Sequence, residues 1–409
     1  MRNLLKLVFT LLLLFGFVGC KKAEEDLVGD SLDGLDLETY VETVEIPENF
    51  SIAFDPSKVE SLGKASVHTA TILEFVEQDH IVIDELVHGE IIDTTNYAEG
   101  PWLEADHNGV REYLIIYDGG ASLGMDSGMN GGFTYGMQIE GISLSNKMSL
   151  VIENSPGPPG NIAQEFGFDL KSDYGSFVNL DFMDYTDALS EVEDILYAVG
   201  LPEVAVAETY SLDLDTMLEH YNLYLDSSSY FGIDEEDDQY TWSKDDESYS
   251  FFFRQVVDDI PLVNMPWSKV QGIPGKNTGH SDEIGYTSVE LIYSKDEIIS
   301  LSAISLLDVE ETGEKKPLIN PATALKSVID SYSEILLGQE TSVTSMELCY
   351  VAILKGENSY NLIPAWVFEV AEADEWNDSH DGTIMLNDYS YYVINAITGE
   401  QIEKASDME

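Results

Sequence analysis

Cysteine is almost absent from this chain of 409 residues; the two that occur are Cys20 and Cys349. A pair allows at most one internal disulfide, and none if Cys20 is used elsewhere, so the fold must rest on its apolar core. Basic residues are also scarce. Nineteen Lys and Arg face 77 Asp and Glu, a formal net charge of −58. Such a surface repels nucleic acid and anionic headgroups, and it attracts cations and basic protein surfaces. It also keeps an extracellular protein soluble. No apolar run reaches the roughly 20 residues that a membrane-spanning helix needs. A phosphate-binding loop, a dinucleotide fingerprint and a basic aromatic stripe are all missing, which argues against nucleotide and nucleic-acid functions. What is abundant is core material: 44 % of residues are hydrophobic, with 22 Tyr, 16 Phe and 5 Trp. The length fits two or three domains of roughly 100–200 residues each.

The N-terminus carries a distinct signal. Arg2 and Lys6 precede an apolar run at 7–17, and Val18-Gly19-Cys20 follows. A positive start, a short apolar stretch and a small residue before a cut site make a secretory leader. Ending in Gly-Cys-Lys-Lys, it resembles the bacterial lipoprotein signal, although Phe17 stands where Leu is usual. The resemblance implies cleavage after residue 19 and a diacylglycerol on Cys20. Membrane lipid is then a partner through Cys20, and the chain sits on the outer face of the cytoplasmic membrane. An ordinary secretory signal cut elsewhere is the alternative. Cleavage removes Arg2 and Lys6 and takes the charge to −60. Residues 20–48, acidic and with little periodicity, read as a tether reaching roughly 30 Å if flexible.

The pattern beyond predicts an α+β protein: a mainly-β N-terminal domain at 49–180, then two helix-plus-antiparallel-sheet units at 181–310 and 311–409. Runs such as 81–83 and 113–117 are β-branched and aromatic. Glycine pairs at 119–120 and 131–132 and the Pro/Gly stretch 155–160 punctuate them, the last as a bend near a domain edge. In 187–201, Leu189, Val192, Ile195, Leu196 and Val199 fall on one helical face, with Gly200 as the stop. A second amphipathic helix is expected at about 212–224 and a strand at 248–257. A third helix is expected at 321–338, with Asn320 as N-cap and Pro321 in the first turn. Its stripe is Leu325, Val328, Ile329, Tyr332, Ile335 and Leu336, and Gly338 ends it. Strands are expected at 346–354, 363–370 and 391–397. Helix followed by sheet thus occurs twice, with helices laid on one face of each sheet.

Few residues suggest chemistry. Gly120-Ala-Ser122-Leu-Gly124 matches the nucleophile-elbow pattern, but the glycine-rich continuation is unsuited to the helix that must follow the Ser. The histidines, His68, His80, His88, His107, His220, His280 and His380, show no zinc spacing. Asp234, Glu235, Glu236, Asp237 and Asp238 offer hard oxygen ligands for loosely bound Ca²⁺, without the alternating loop that orients them round one ion. A solvated acidic loop is the simpler reading. Cys349 lies in a strand-like run and reads as a small buried hydrophobe.

Three local motifs carry a resemblance. Residues 249–262, with Phe251, Phe253, Arg254 and Ile260-Pro261, look like the strand-and-bend segment of PepSY-like domains, with Asp259 in place of the usual Gly. Leu362-Ile-Pro364-Ala-Trp366 resembles a second strand of those domains, and Tyr392-Val-Ile-Asn395-Ala-Ile-Thr398-Gly399-Glu400 resembles their closing strand and turn. In this order, over roughly 185–405, they are similar to the extracytoplasmic YycH and YycI regulators of a cell-wall sensor kinase. The resemblance implies two PepSY-like units and a non-catalytic regulator or scaffold that binds an envelope protein or a peptide. It supplies no catalytic residues. The alternatives are an extracytoplasmic hydrolase with a site in the N-terminal domain, or a solute- or cation-binding lipoprotein. A hydrolase or solute binder should show a deep cleft with convergent polar groups. A regulator should show a shallow apolar patch or an exposed sheet edge.

Overall fold

A computed structural model describes residues 32, 34–75, 90–96, 112–126, 132–139, 142–152, 173–231, 240–265, 287–295, 297–356, 359–378 and 382–403. Cys20, the acidic run 234–238, the bend at 155–160 and His80, His88, His107, His280 and His380 lie outside these residues.

The first strands are β1 (Phe50–Ile52), β2 (Lys64–Ala65), β3 (His68–Ile72), β4 (Ile91–Asn96), β5 (Glu112–Tyr117) and β6 (Ser122–Asp126). Next come β7 (Gly132–Gly136), β8 (Gln138–Ile139), β9 (Ile142–Ser143), β10 (Val204–Leu212), β11 (Ser248–Val257) and β12 (Ile260–Pro261). The chain continues with β13 (Ser288–Ser294), β14 (Ile298–Ile304), β15 (Leu307–Thr312) and β16 (Lys316–Pro317). It closes with β17 (Thr341–Gly356), β18 (Ser359–Asp378) and β19 (Gly382–Asn395). The helices are α1 (Leu37–Thr43), α2 (Leu144–Ser149), α3 (Tyr185–Ala198), α4 (Leu214–Phe231) and α5 (Pro321–Ser333).

Two mainly antiparallel sheets result, so the mixed class read from the sequence holds. A nine-stranded central sheet runs β10-β11-β13-β14-β7-β6-β5-β4, with β12 on β11. A six-stranded C-terminal sheet runs β1-β17-β18-β3-β15, with β19 also on β18. Short ladders join β2 to β16 and β8 to β9.

Residues 49–180 do not close on themselves. Their strands β4–β7 extend the central sheet through β7 on β14. Their strands β1 and β3 pair with β17 and β18 in the other sheet. The change of sequence pattern near residue 180 therefore marks no sheet boundary, because distant strands satisfy their edges on one another.

The central sheet also carries helices on both faces, not one. Tyr185, Ala188, Val192 and Leu196 of α3 pack with Tyr249, Phe251, Phe253, Val289 and Leu291. Met148 of α2 and Met217 and Tyr221 of α4 pack with Tyr210, Phe252 and Ile292 on the opposite face. The Phe run of β11 explains this: consecutive strand residues point to opposite faces, and here both are apolar.

Helix ends follow the sequence signals closely at α3 and only partly at α5. Gly200 adopts φ +84° beyond α3, and Leu201 N–H reaches Leu196 C=O at 3.2 Å, a glycine stop. Asn320 caps α5 by accepting from Ala322 N–H at 2.8 Å. That helix ends at Ser333, however, and Leu336 is fully exposed (100 %) while Leu337 touches the core. The stripe expected through Leu336 thus outruns the core beneath it.

The expected tether is shorter than 20–48. Asp36 caps α1 through Thr39 N–H at 2.8 Å, and Leu37 and Tyr40 are buried against the C-terminal sheet. An Asp cap with apolar residues at i+1 and i+4 is a helix-start signal that the acidic composition obscured.

Candidate functional site: the seam between the sheets

The sheets meet at a hairpin. β11 and β12 are joined by Asp258 and Asp259, whose φ values are +50° and +64°. Positive φ at both central residues is the backbone of a two-residue type I′ turn, normally made with Asn-Gly or Asp-Gly. Asp tolerates this region better than most residues. Asp259, in the place of the usual Gly, therefore preserves the bend. The chain then runs parallel to β17, where Leu262 bridges Tyr350 and Val263 N–H donates to Tyr350 C=O at 2.8 Å.

Side chains fasten the same junction. Arg254 of β11 donates from Nη1 to both Glu347 oxygens at 2.7 and 2.9 Å, and from Nε to Leu262 C=O at 2.8 Å. Its Nη2 donates to Cys349 Sγ at 3.1 Å, and that thiol donates to Glu347 Oε2 at 3.2 Å. Burial and the Glu347 carboxylate push the Cys349 thiol well above its ordinary value, so it stays protonated and unreactive. Cys349 is buried as expected, but as a hydrogen-bonding member of an ion pair. The carboxamide of Gln255 accepts from Leu307 N–H at 2.8 Å and donates to Leu307 C=O at 2.6 Å, tying β11 to β15.

His68 lies behind the hairpin. Its ring nitrogens contact Thr312 Oγ1 at 3.2 Å and Tyr350 Oη at 2.9 Å, and Asp258 is 3.8 Å away. Burial holds its pKa below the ordinary value; Asp258 acts in the opposite direction. Tyr350 also donates to Ser66 C=O at 3.0 Å, and burial raises its phenol to about 12.

Beside the hairpin lies a half-open cavity of about 570 Å³, walled by Lys58 and residues 60–62, by Asp259, Ile260 and Pro261, and by Met346, Glu347 and Leu348 of β17. A smaller cavity of about 160 Å³ lies by Arg254, Phe252 and Glu290. Burial pushes Glu290 up to about 7, with a Ser288 hydrogen bond opposing.

The sequence candidates are not drawn together. Ser122 begins strand β6 and pairs with Ile116 and Gly136 in the middle of a sheet, so no helix follows it. His220 is buried on α4, bonded to Val151 C=O at 2.9 Å and Asp173 Oδ2 at 3.2 Å, neither of them a residue of the seam. Among the described residues, no three His, Cys, Asp or Glu side chains form a group able to hold a metal. No helix among them is long and apolar enough to cross a membrane. Sequence reading missed the roles of His68, Glu347 and Tyr350. Their partners are up to 284 residues away, so no local pattern marks them.

The fold is thus a two-sheet α+β architecture whose functional candidate among the described residues is a junction of strands. Residues 203–397 match a family model described as YycI protein, a little under half of the chain. The match starts just before β10 and ends just after β19, so β11, β12 and β17 of the seam fall within a YycI-like region. The crystal structure of an uncharacterized protein from Eubacterium rectale ATCC 33656 has the same overall fold. It is 17 % identical, with a TM-score of 0.59, over 86 % of this chain and 88 % of that one. No curated protein matches the sequence.

Proposed function

We propose that this protein is a non-catalytic regulator or scaffold of the bacterial cell envelope, held outside the membrane through lipid on Cys20, that acts by binding a protein or peptide. The observation that carries this reading is the open cavity on the β17 edge, within the YycI-like region. A partly open edge walled by loops suits a protein contact better than it suits bond cleavage, which needs an activated nucleophile or metal. The PepSY-like description of the two units belongs to the same reading. A net charge of −58 favours a basic partner surface.

Cross-linking in living cells, followed by mass spectrometry, tests this. The expected result is reproducible capture of one envelope protein, lost when the walls of the seam cavity are altered. Capture of nothing above background overturns it. Incorporation of an alkyne fatty acid, abolished by Cys20→Ala, is the expected outcome for the anchor.

A further inference from the structure

The long strand β17 is paired with β18 along one edge from Thr341 to Gly356, with bulges at Thr344 and Lys355. Its other edge is paired only at two separate places. β1 runs parallel to it at Thr341, Ser342 and Val343, and Ala53 N–H reaches Val343 C=O at 2.9 Å. The chain after β12 returns at Tyr350. Among the described residues no strand pairs with this edge between those points.

The direction of the backbone in the gap follows from the ladder. Tyr350 C=O points to the open edge, since it accepts from Val263 N–H, and its partner Pro364 has no N–H to donate. Backbone groups alternate between edges, so Leu348 and Met346 also present N–H and C=O outward, whereas Cys349 and Glu347 face β18. Met346 and Leu348 line the cavity. The stretch of this edge without a ladder partner runs from 344 to 349, but β12 lies against β17 at its Tyr350 end. The space left for a short extended segment therefore centres on Met346 and Leu348 and is shorter than the roughly 20 Å of six extended residues.

The walls specify that segment. Leu62 offers an exposed apolar side chain, and Glu60 and Asp259 form no ion pair among the described residues. Glu347 is engaged by Arg254, and Lys58 lies 3.9 Å from Asp55. The spare charge in the cavity is therefore negative.

We infer that the gap in the β17 edge is a strand-docking site for a short extended peptide segment with a basic side chain, whose backbone pairs with Met346 and Leu348 while its Lys or Arg meets Glu60 and Asp259. The inference rests on the protein-binding reading and gives that partner its chemistry.

The test uses full-length protein in detergent and a positional-scanning library of capped octapeptides read by fluorescence anisotropy. The best Lys- or Arg-containing peptide is expected to bind at least tenfold more tightly than its Glu counterpart. Methylating its central backbone nitrogens should weaken it by a similar factor, and Glu60→Gln/Asp259→Asn should remove the preference for a basic residue. Hydrogen exchange at the Met346 and Leu348 amides should slow when it binds. Equal binding of the N-methylated peptide overturns strand docking. So does protection of both amides in the free protein, which would mean that the chain itself fills the edge. If cross-linking captures a partner but no peptide binds, the regulator reading stands and this inference falls. If cross-linking captures nothing, the reading beneath it falls as well.

Discussion

At the residue scale, two ionisable groups near the seam respond to pH in opposite directions. His68 is held neutral by burial, so its pKa in the fold lies below the ordinary value near 6.5. Above that pH neither folded nor unfolded chain protonates it. As pH falls below about 6.5 the unfolded chain takes up the proton first, and the stability that His68 contributes is lost progressively. Glu290 has the reverse sign. Its folded pKa is raised to about 7 from 4.5, so the fold retains a proton that the unfolded chain releases across that window, and stability falls as pH rises. Denaturant titrations should therefore show Glu290→Gln stabilising the protein more at pH 8 than at pH 4. His68→Gln should flatten the loss of stability on acidification. The Arg254–Glu347–Cys349 cluster gives a further expectation. Glu347→Ala leaves a largely buried guanidinium without its charged partner and should cost about 1–3 kcal/mol, the range for leaving a buried polar group unsatisfied. Cys349 should resist iodoacetamide until the protein unfolds, as read by peptide mass spectrometry.

At the element scale, short signals decide whether an element begins or bends where it should. Asp259 in the left-handed region should tolerate Gly. A β-branched residue there should cost about 1–2 kcal/mol in chemical denaturation, because its second Cβ substituent crowds the backbone in a region that Asp, with its short polar side chain, tolerates. Asn320 has two tasks. It caps α5, and its Nδ2 donates to Leu35 C=O at 2.9 Å. Asn320→Ala should lose about 1 kcal/mol for the cap alone, and the entry into α1 should become more accessible to proteolysis. These elements also show how far sequence pattern reaches. The strand at Ser248–Val257 follows from its run of aromatic and β-branched residues, and the glycine stop after α3 from helical periodicity and one residue of known backbone preference. Where α5 stops does not, because Ile335 and Leu336 continue the apolar period without a core beneath them.

At the scale of the whole molecule, the two sheets are each completed by strands from the opposite end of the chain. Phe50, Ala70 and Ile72 lie in the same core as Leu325, Val328 and Trp366. A fragment starting at residue 181 would lack β1, β3 and β7 and uncover Thr341–Val343 of β17, Tyr360–Leu362 of β18 and Ser300–Ile304 of β14. It would also lose the apolar residues that β1 and β3 add to the core. Such a fragment should aggregate or unfold at much lower denaturant than the full chain, as followed by circular dichroism and light scattering. Comparable midpoints for the two would show that the N-terminal strands are dispensable.

The sequence alone determined the acidic character, the mixed α+β class, the position of α3 and the start of α5, and the three motifs that point to a YycI-like region. Those are local or compositional properties, set by side-chain period, backbone preference and charge count. Only the tertiary structure decided that residues 49–75 complete a sheet built mainly after residue 340, that Arg254 reaches Glu347, and that β17 is left open over Met346 and Leu348. Those are pairings between residues about 90 to 290 positions apart. Backbone hydrogen bonding is blind to side-chain identity, so a strand's edge does not record which distant strand will cover it, or that none will.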